Sequence, residues 1–166
     1  MKLYHYVPKH ADALKKGLLS VSKIPEELLK YAQRAGSQDP SQITRWLEKS
    51  LPGRCRAISV LTEPIRREHT DPMLQDWVDT KDLVEIDYTQ LLKDDLVEAV
   101  YCKTGSDAAG FNEKIDKISC HQIDFSPLPW HLCSQEKGLF FGAVRHYFLV
   151  MQDGVIPPKY LKIIHK

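Results

Sequence analysis

The 166-residue chain is 43% hydrophobic and 27% charged, which excludes the composition of a disordered protein and supplies enough apolar surface for one packed core. Lys and Arg number 23 against 22 Asp and Glu, so no whole-molecule field pulls toward nucleic acid or anionic lipid, although local basic patches can still form. Four widely separated cysteines, Cys55, Cys102, Cys120 and Cys133, form no Cys-x-x-Cys pair, the first residues lack the apolar stretch of a secretory signal, and no apolar run approaches the roughly 20 residues of a membrane helix. These features predict free thiols in a reducing compartment, no membrane partner, and a cytoplasmic protein or an effector delivered to a host cytosol.

In chain order, "KLYHYV" (2–7) alternates, with Leu3, His5 and Val7 on one face and Tyr4 and Tyr6 on the other, and predicts a first strand. "ADALKKGLLS" (11–20) places Ala11, Leu14 and Leu18 near helical spacing with Gly17 as a left-handed stop, and predicts a short helix. Two longer helices follow. The first, over 22–36, has Ser22 as cap, Pro25 and acids in its first turn, and a stripe of Leu28, Tyr31, Ala32 and Ala35 before Gly36. The second, over 39–53, has Asp39 as cap, Pro40 at the first helical position, Gln42 in a capping box, and Ile43, Trp46, Leu47 and Leu51 as its stripe.

"RAISVLTEP" (56–64) predicts a strand stopped by Pro64, and "HTDPMLQDWVD" (69–79) a short helix capped by Asp71. "DLVEIDY" (82–88) and "DLVEAVYC" (95–102) are strand-like and flank a helical turn or two in "TQLLKDD" (89–95). "TGSDAAG" (104–110) is a loop, "NEKIDKIS" (112–119) a short helix, and "DFSPLPW" (124–130) a proline-stiffened connection. "GLFFGAVRHYFLVM" (138–151) is one long strand or two bent at Gly142, "QDG" (152–154) a turn, and "YLKIIHK" (160–166) the last strand. Helices early and strands late predict a single α+β domain, residues 1–166, with an N-terminal helical lobe and largely antiparallel sheets.

Phosphate-cradling glycine loops, dinucleotide fingerprints, nucleophile elbows and zinc spacings are absent, and no metal is expected. Cys133 with His131 and His146 has the residue types of a nucleophile and base, yet carries no family signature, and a lone Cys near a His is more often a small core hydrophobe. The densest chemistry is "GRCRAISVLTEPIRREH" (53–69), where Arg54, Arg56, Ser59, Thr62, Glu63 and His69 lie along a strand and the loop leaving it. Such groups either aim into a cleft or form the solvated side of an edge strand. Arg145 and His146 likewise interrupt an apolar strand, which one wet face would also explain.

Four stretches in order, "LYHYV" followed by "ALKKGLLS", "ISVLTEPI", "LVEIDYTQLLKDDLVEAVYC" and "GVIPPKYLKII", together resemble the ADP-ribosyltransferase-fold superfamily. The likeness is to its bacterial toxin, phage-defence and effector members, and the third stretch is also similar to RNA 2′-phosphotransferases. The resemblance implies two small sheets forming a cleft that binds NAD, and cleavage of the nicotinamide–ribose bond through an oxocarbenium-like transition state. It places His5 in the first-strand ribose-contacting role, Tyr4 or Tyr6 in a stacking or supporting one, and Ser59 as the central-strand support. Arg56 would fork onto the pyrophosphate. The glutamate that stabilises developing positive charge falls to Glu63 or Glu136, because the late strand that usually carries it has Arg145, His146 and Tyr147, which would then line the cofactor site.

Three readings follow from that likeness. The chain is an ADP-ribosyltransferase-like enzyme acting on NAD, with a protein acceptor; or an inactive relative that binds a protein, as an immunity or effector module, through the lobe around Arg34 to Arg45; or an RNA phosphotransferase using Arg54, Arg56, Arg145 and His146 as phosphate-binding cations. His5, sharing a face with Leu3 and Val7, is open to a further account as a packed, hydrogen-bonded core histidine.

Overall fold

In the computed structural model of the chain the described residues are 1–9, 13–23, 53–66, 72–106, 113–127 and 145–164. They build strands β1 (Lys2–Pro8), β2 (Leu18–Leu19), β3 (Ala57–Leu61), β4 (Lys81–Asp87), β5 (Val97–Ser106), β6 (Glu113–Ile118), β7 (His146–Met151), β8 (Val155–Ile156) and β9 (Leu161–Ile164). The α-helices among them are short: α1 (Ala13–Lys16), α2 (Pro72–Asp79) and α3 (Tyr88–Lys93). Seven strands form one antiparallel sheet in the order β6-β5-β7-β3-β1-β4-β9, and β2 pairs with β8 in a separate two-stranded ribbon.

This corrects the predicted class. With 47% of the described residues in strands and a single large sheet, the architecture is mostly β, not α+β with two small sheets facing across a cleft. The helical-lobe predictions over 24–36 and 39–52 lie outside the described residues, as do 138–144 of the late strand. Ser22, expected to cap the first lobe helix, sits instead in a 3-10 turn (Val21–Lys23) with its hydroxyl 2.8 Å from that of Ser20. The early helix contracts to Ala13–Lys16 because Leu18 and Leu19 leave it to pair with Ile156 and Val155. "NEKIDKIS" is a strand, β6, whose register runs from Ser106–Glu113 to Val100–Ile118. A ten-residue β5 offers a long edge, and pairing with it overrides a helical spacing that rested on two isoleucines.

Strand parity sets the two faces. Leu3, Val7, Ile58, Val60, Val84, Ile86, Val100, Leu149 and Met151 point to one side, where Tyr88 and Leu91 of α3 and Leu18 and Ile156 of the ribbon complete the main core. On the other side Tyr6, Leu61 and Leu83 pack with Ile65 and Val78, and Tyr101, Phe148 and Val150 with Ala99. Asp87 caps α3 by accepting from the Gln90 N–H. Asp95, at φ 53°, ends it, with Leu96 N–H returning to the Leu91 carbonyl.

One join in the sheet is unlike the others. β1 pairs with β4 along its whole length, from Lys2–Asp87 to Pro8–Lys81, and β3 pairs with β7 from Ala57–Val150 to Leu61–His146. Between β1 and β3 the ladder holds one pair, Tyr4–Leu61.

Candidate functional site

Beside that join a serine of β3 is contacted by two histidines. In the antiparallel β3–β7 pair, Ser59 stands opposite Phe148 and Leu61 opposite His146. His146 is therefore the diagonal neighbour of Ser59 on the same face, within reach of a long side chain. Its Nε2 lies 2.5 Å from the Ser59 hydroxyl. The imidazole is 7% exposed, one of two buried polar side chains among the described residues, and packs against the Phe148 ring at 4.6 Å between centroids. Ser59 itself is partly exposed.

From the opposite face of the sheet, by strand parity, His5 leans into the gap where the β1–β3 ladder stops. Its Nδ1 is 2.6 Å from the Ser59 carbonyl oxygen, so Nδ1 carries the proton and donates. The ring thus replaces the ladder bond that a strand amide would have made. Burial pushes the His5 pKa below its ordinary value, with the hydrogen bond to Ser59 opposing it, so the imidazole is neutral near pH 7 and its Nε2 is an acceptor. Two imidazoles hold one serine, by its carbonyl and by its hydroxyl.

The aromatic pair beside them divides. Tyr4, on the Ser59 face, is partly buried, and its pKa is raised by burial and by the Glu85 charge. Tyr6 is buried, accepts from the Ile65 N–H at 3.0 Å, and has its pKa raised by burial. Tyr6 therefore anchors the 62–66 turn against the sheet.

The remaining predicted residues lie apart from this centre. Arg56 precedes β3 and forks onto the Glu98 carboxylate of β5, reaching also toward the carbonyls of Met151 and Gln152. Glu63 follows β3 and is bound by Arg66 at 2.8 Å, with its other carboxylate oxygen buried. The length of β3, roughly 17 Å for five residues, separates the two. Arg145 is held at the far rim by Asp124 (3.1 Å) and the Ser126 carbonyl (2.5 Å). The Tyr147 hydroxyl accepts from the Asp124 N–H at 3.2 Å, and burial raises its pKa. Arg56 and Arg145, the cations nominated for phosphate, are each engaged by an acid. Glu136, Cys133, His131 and the Arg34–Arg45 segment lie outside the described residues, as does the Arg54 side chain.

The chemistry available is that of a neutral imidazole acceptor at His5 on one face of the sheet and, on the other, a hydroxyl at Ser59 beside the imidazole of His146. Among the described residues no group of three or more His, Cys, Asp or Glu could hold a metal ion, and no helix is long and apolar enough to cross a membrane. Sequence reasoning named all three residues of the centre but missed Phe148, which the two-residue spacing from His146 would have placed on the same strand face. It also missed Glu98 and Asp124, whose pairing with the arginines depends on strand order. No family model matches the chain, and neither a curated protein nor a solved structure matches it.

Proposed function

We propose that the chain binds a nucleotide, NAD in the first instance, beside the join between β1 and β3, with Ser59 as its polar contact, His146 and Tyr4 on the same face, and His5 fixing the serine from the core side. The observation that carries this reading is the 2.6 Å contact between His5 and the Ser59 backbone, which joins residues 54 apart in sequence. These are the two residues that the ADP-ribosyltransferase resemblance nominated from separate stretches. His5, with its Nδ1 proton committed to the Ser59 carbonyl, fixes the serine from the core face, and the Ser59 hydroxyl, on the other face, can donate to or accept from a ribose hydroxyl. Tyr4, partly buried, offers a ring face to a heteroaromatic base.

A second reading, an inactive relative that binds without cleaving, is favoured by the carboxylates. Cleavage of the nicotinamide–ribose bond needs an acid aimed at the developing cation, and Glu63 is occupied by Arg66 beyond the end of β3.

One titration separates the two. The chain is melted with and without NAD while free nicotinamide is measured. A rise in melting temperature that His5→Ala abolishes, with nicotinamide released, supports the enzyme; the same rise without nicotinamide supports the inactive relative. No rise and no release sinks both.

A further inference from the structure

The Ser59–His146 pair has a property that nucleotide binding does not use. A serine hydroxyl is a weak nucleophile until a base within hydrogen-bond reach accepts its proton. Here the base stands 2.5 Å away through Nε2. The two partners also differ in accessibility: Ser59 is partly exposed, whereas His146 is buried behind Phe148. The serine is thus the more accessible of the two partners.

The backbone of Ser59 is fixed by the His5 Nδ1–H bond to its carbonyl. In an antiparallel strand a residue's N–H and C=O point along the same edge. The Ser59 N–H is therefore also turned toward the β1 side, where it can donate to the oxyanion that forms on the carbonyl oxygen of an ester attacked by the Ser59 hydroxyl.

We propose that Ser59 is an activated nucleophile and His146 its general base, and that the pair takes an acyl group from small carboxylic esters or a phosphonyl group from organophosphonates. In the acyl case Oγ attacks the carbonyl carbon as its proton passes to His146 Nε2. The Oγ–C bond forms, the ester C–O bond breaks, and the alkoxide leaves with the proton that His146 held. Water, activated by the same imidazole, then hydrolyses the acyl-serine, releasing the carboxylic acid and restoring the hydroxyl. With a fluorophosphonate the P–F bond breaks instead, fluoride leaves with the proton, and the phosphonyl-serine persists. This inference does not rest on the nucleotide reading.

The experiment treats the folded chain with an alkyl fluorophosphonate and locates the adduct by peptide mass spectrometry, with p-nitrophenyl acetate as the acyl probe. The expected result is a single adduct on Ser59 and p-nitrophenol release, both lost in Ser59→Ala and slowed by about a hundredfold or more in His146→Gln. In the unaltered chain the labelling rate should climb with pH as the imidazole loses its proton and then level off. That profile decides the matter even if the His146 variant fails to fold. Absence of a Ser59 adduct, a rate that ignores pH across the histidine range, or equal labelling of folded and urea-unfolded chain overturns the proposal.

Discussion

At the scale of single residues, the centre makes two predictions. Ser59→Ala leaves the buried His146 ring without the hydroxyl at its Nε2, and should cost about 1–3 kcal/mol in urea unfolding. A change under about half a kcal/mol would mean that the bond contributes nothing to the folded state. His5 predicts a pH dependence. Its folded pKa lies below the unfolded value of about 6.5, so as pH falls through that value the unfolded chain takes up a proton that the native chain refuses. The stabilisation is complete above that pH and shrinks below it toward the depressed folded pKa. Denaturant midpoints measured on both sides of about pH 6.5 should fall on acidification in the native chain and fall less in His5→Gln; parallel curves would remove His5 from the account. The identities of these residues were legible because a histidine or serine inside an apolar alternation stands out. Their geometry was not, since the Ser59–His146 contact joins residues 87 apart and depends on a register that no local pattern encodes.

At the scale of elements, the β2–β8 ribbon rests on backbone conformations that side chains resist. Gly17 has φ 85° and lies where a Cβ would run into the Ile156 carbonyl. Gly154 has φ 67°, with the Ser20 hydroxyl 2.6 Å from the position a Cβ would take. Ala at either should therefore cost about 2 kcal/mol or more, read as a lowered thermal midpoint. A midpoint unchanged at both positions would show that the ribbon is not part of the cooperative unit. Glycine as a stop after the first helix was visible in sequence, but its partner across the ribbon was not. The strands β1, β3, β4 and β5 were legible because period-2 alternation is local chemistry. β6 was misread because a charged edge strand lacks that alternation, and its pairing with β5 is a tertiary fact. The lysines and acids that hid it from sequence inspection suit an edge, where charge discourages pairing with another chain.

At the scale of the whole molecule, the strand order ranks stability. β7 and β3 lie between neighbours at the middle of the sheet, and Leu149, Val150 and Met151 are at most 1% exposed. β6 and β9 are its edges. Amide exchange should be slowest in β7 and β3 and fastest in β6 and β9; equal protection in β9 and β7 would refute the order. Leu149→Ala should cost about 2–5 kcal/mol. The composition and the antiparallel pairing were readable from the chain, whereas the merging of the strands into one sheet was not, because a strand's partner is chosen by long-range closure.

The position of β7 also bears on how the molecule is made. The strand that separates β5 from β3 begins at residue 146, forty residues after β5 ends at Ser106 and later still after β3. Until then the β1–β4 pair and the β5–β6 pair have no strand to join them, and β5 and β3 carry bare hydrogen-bonding edges. Translation that stalls before residue 146 should therefore release a sticky intermediate, and late arrival of this strand makes the nascent chain a natural client for chaperones.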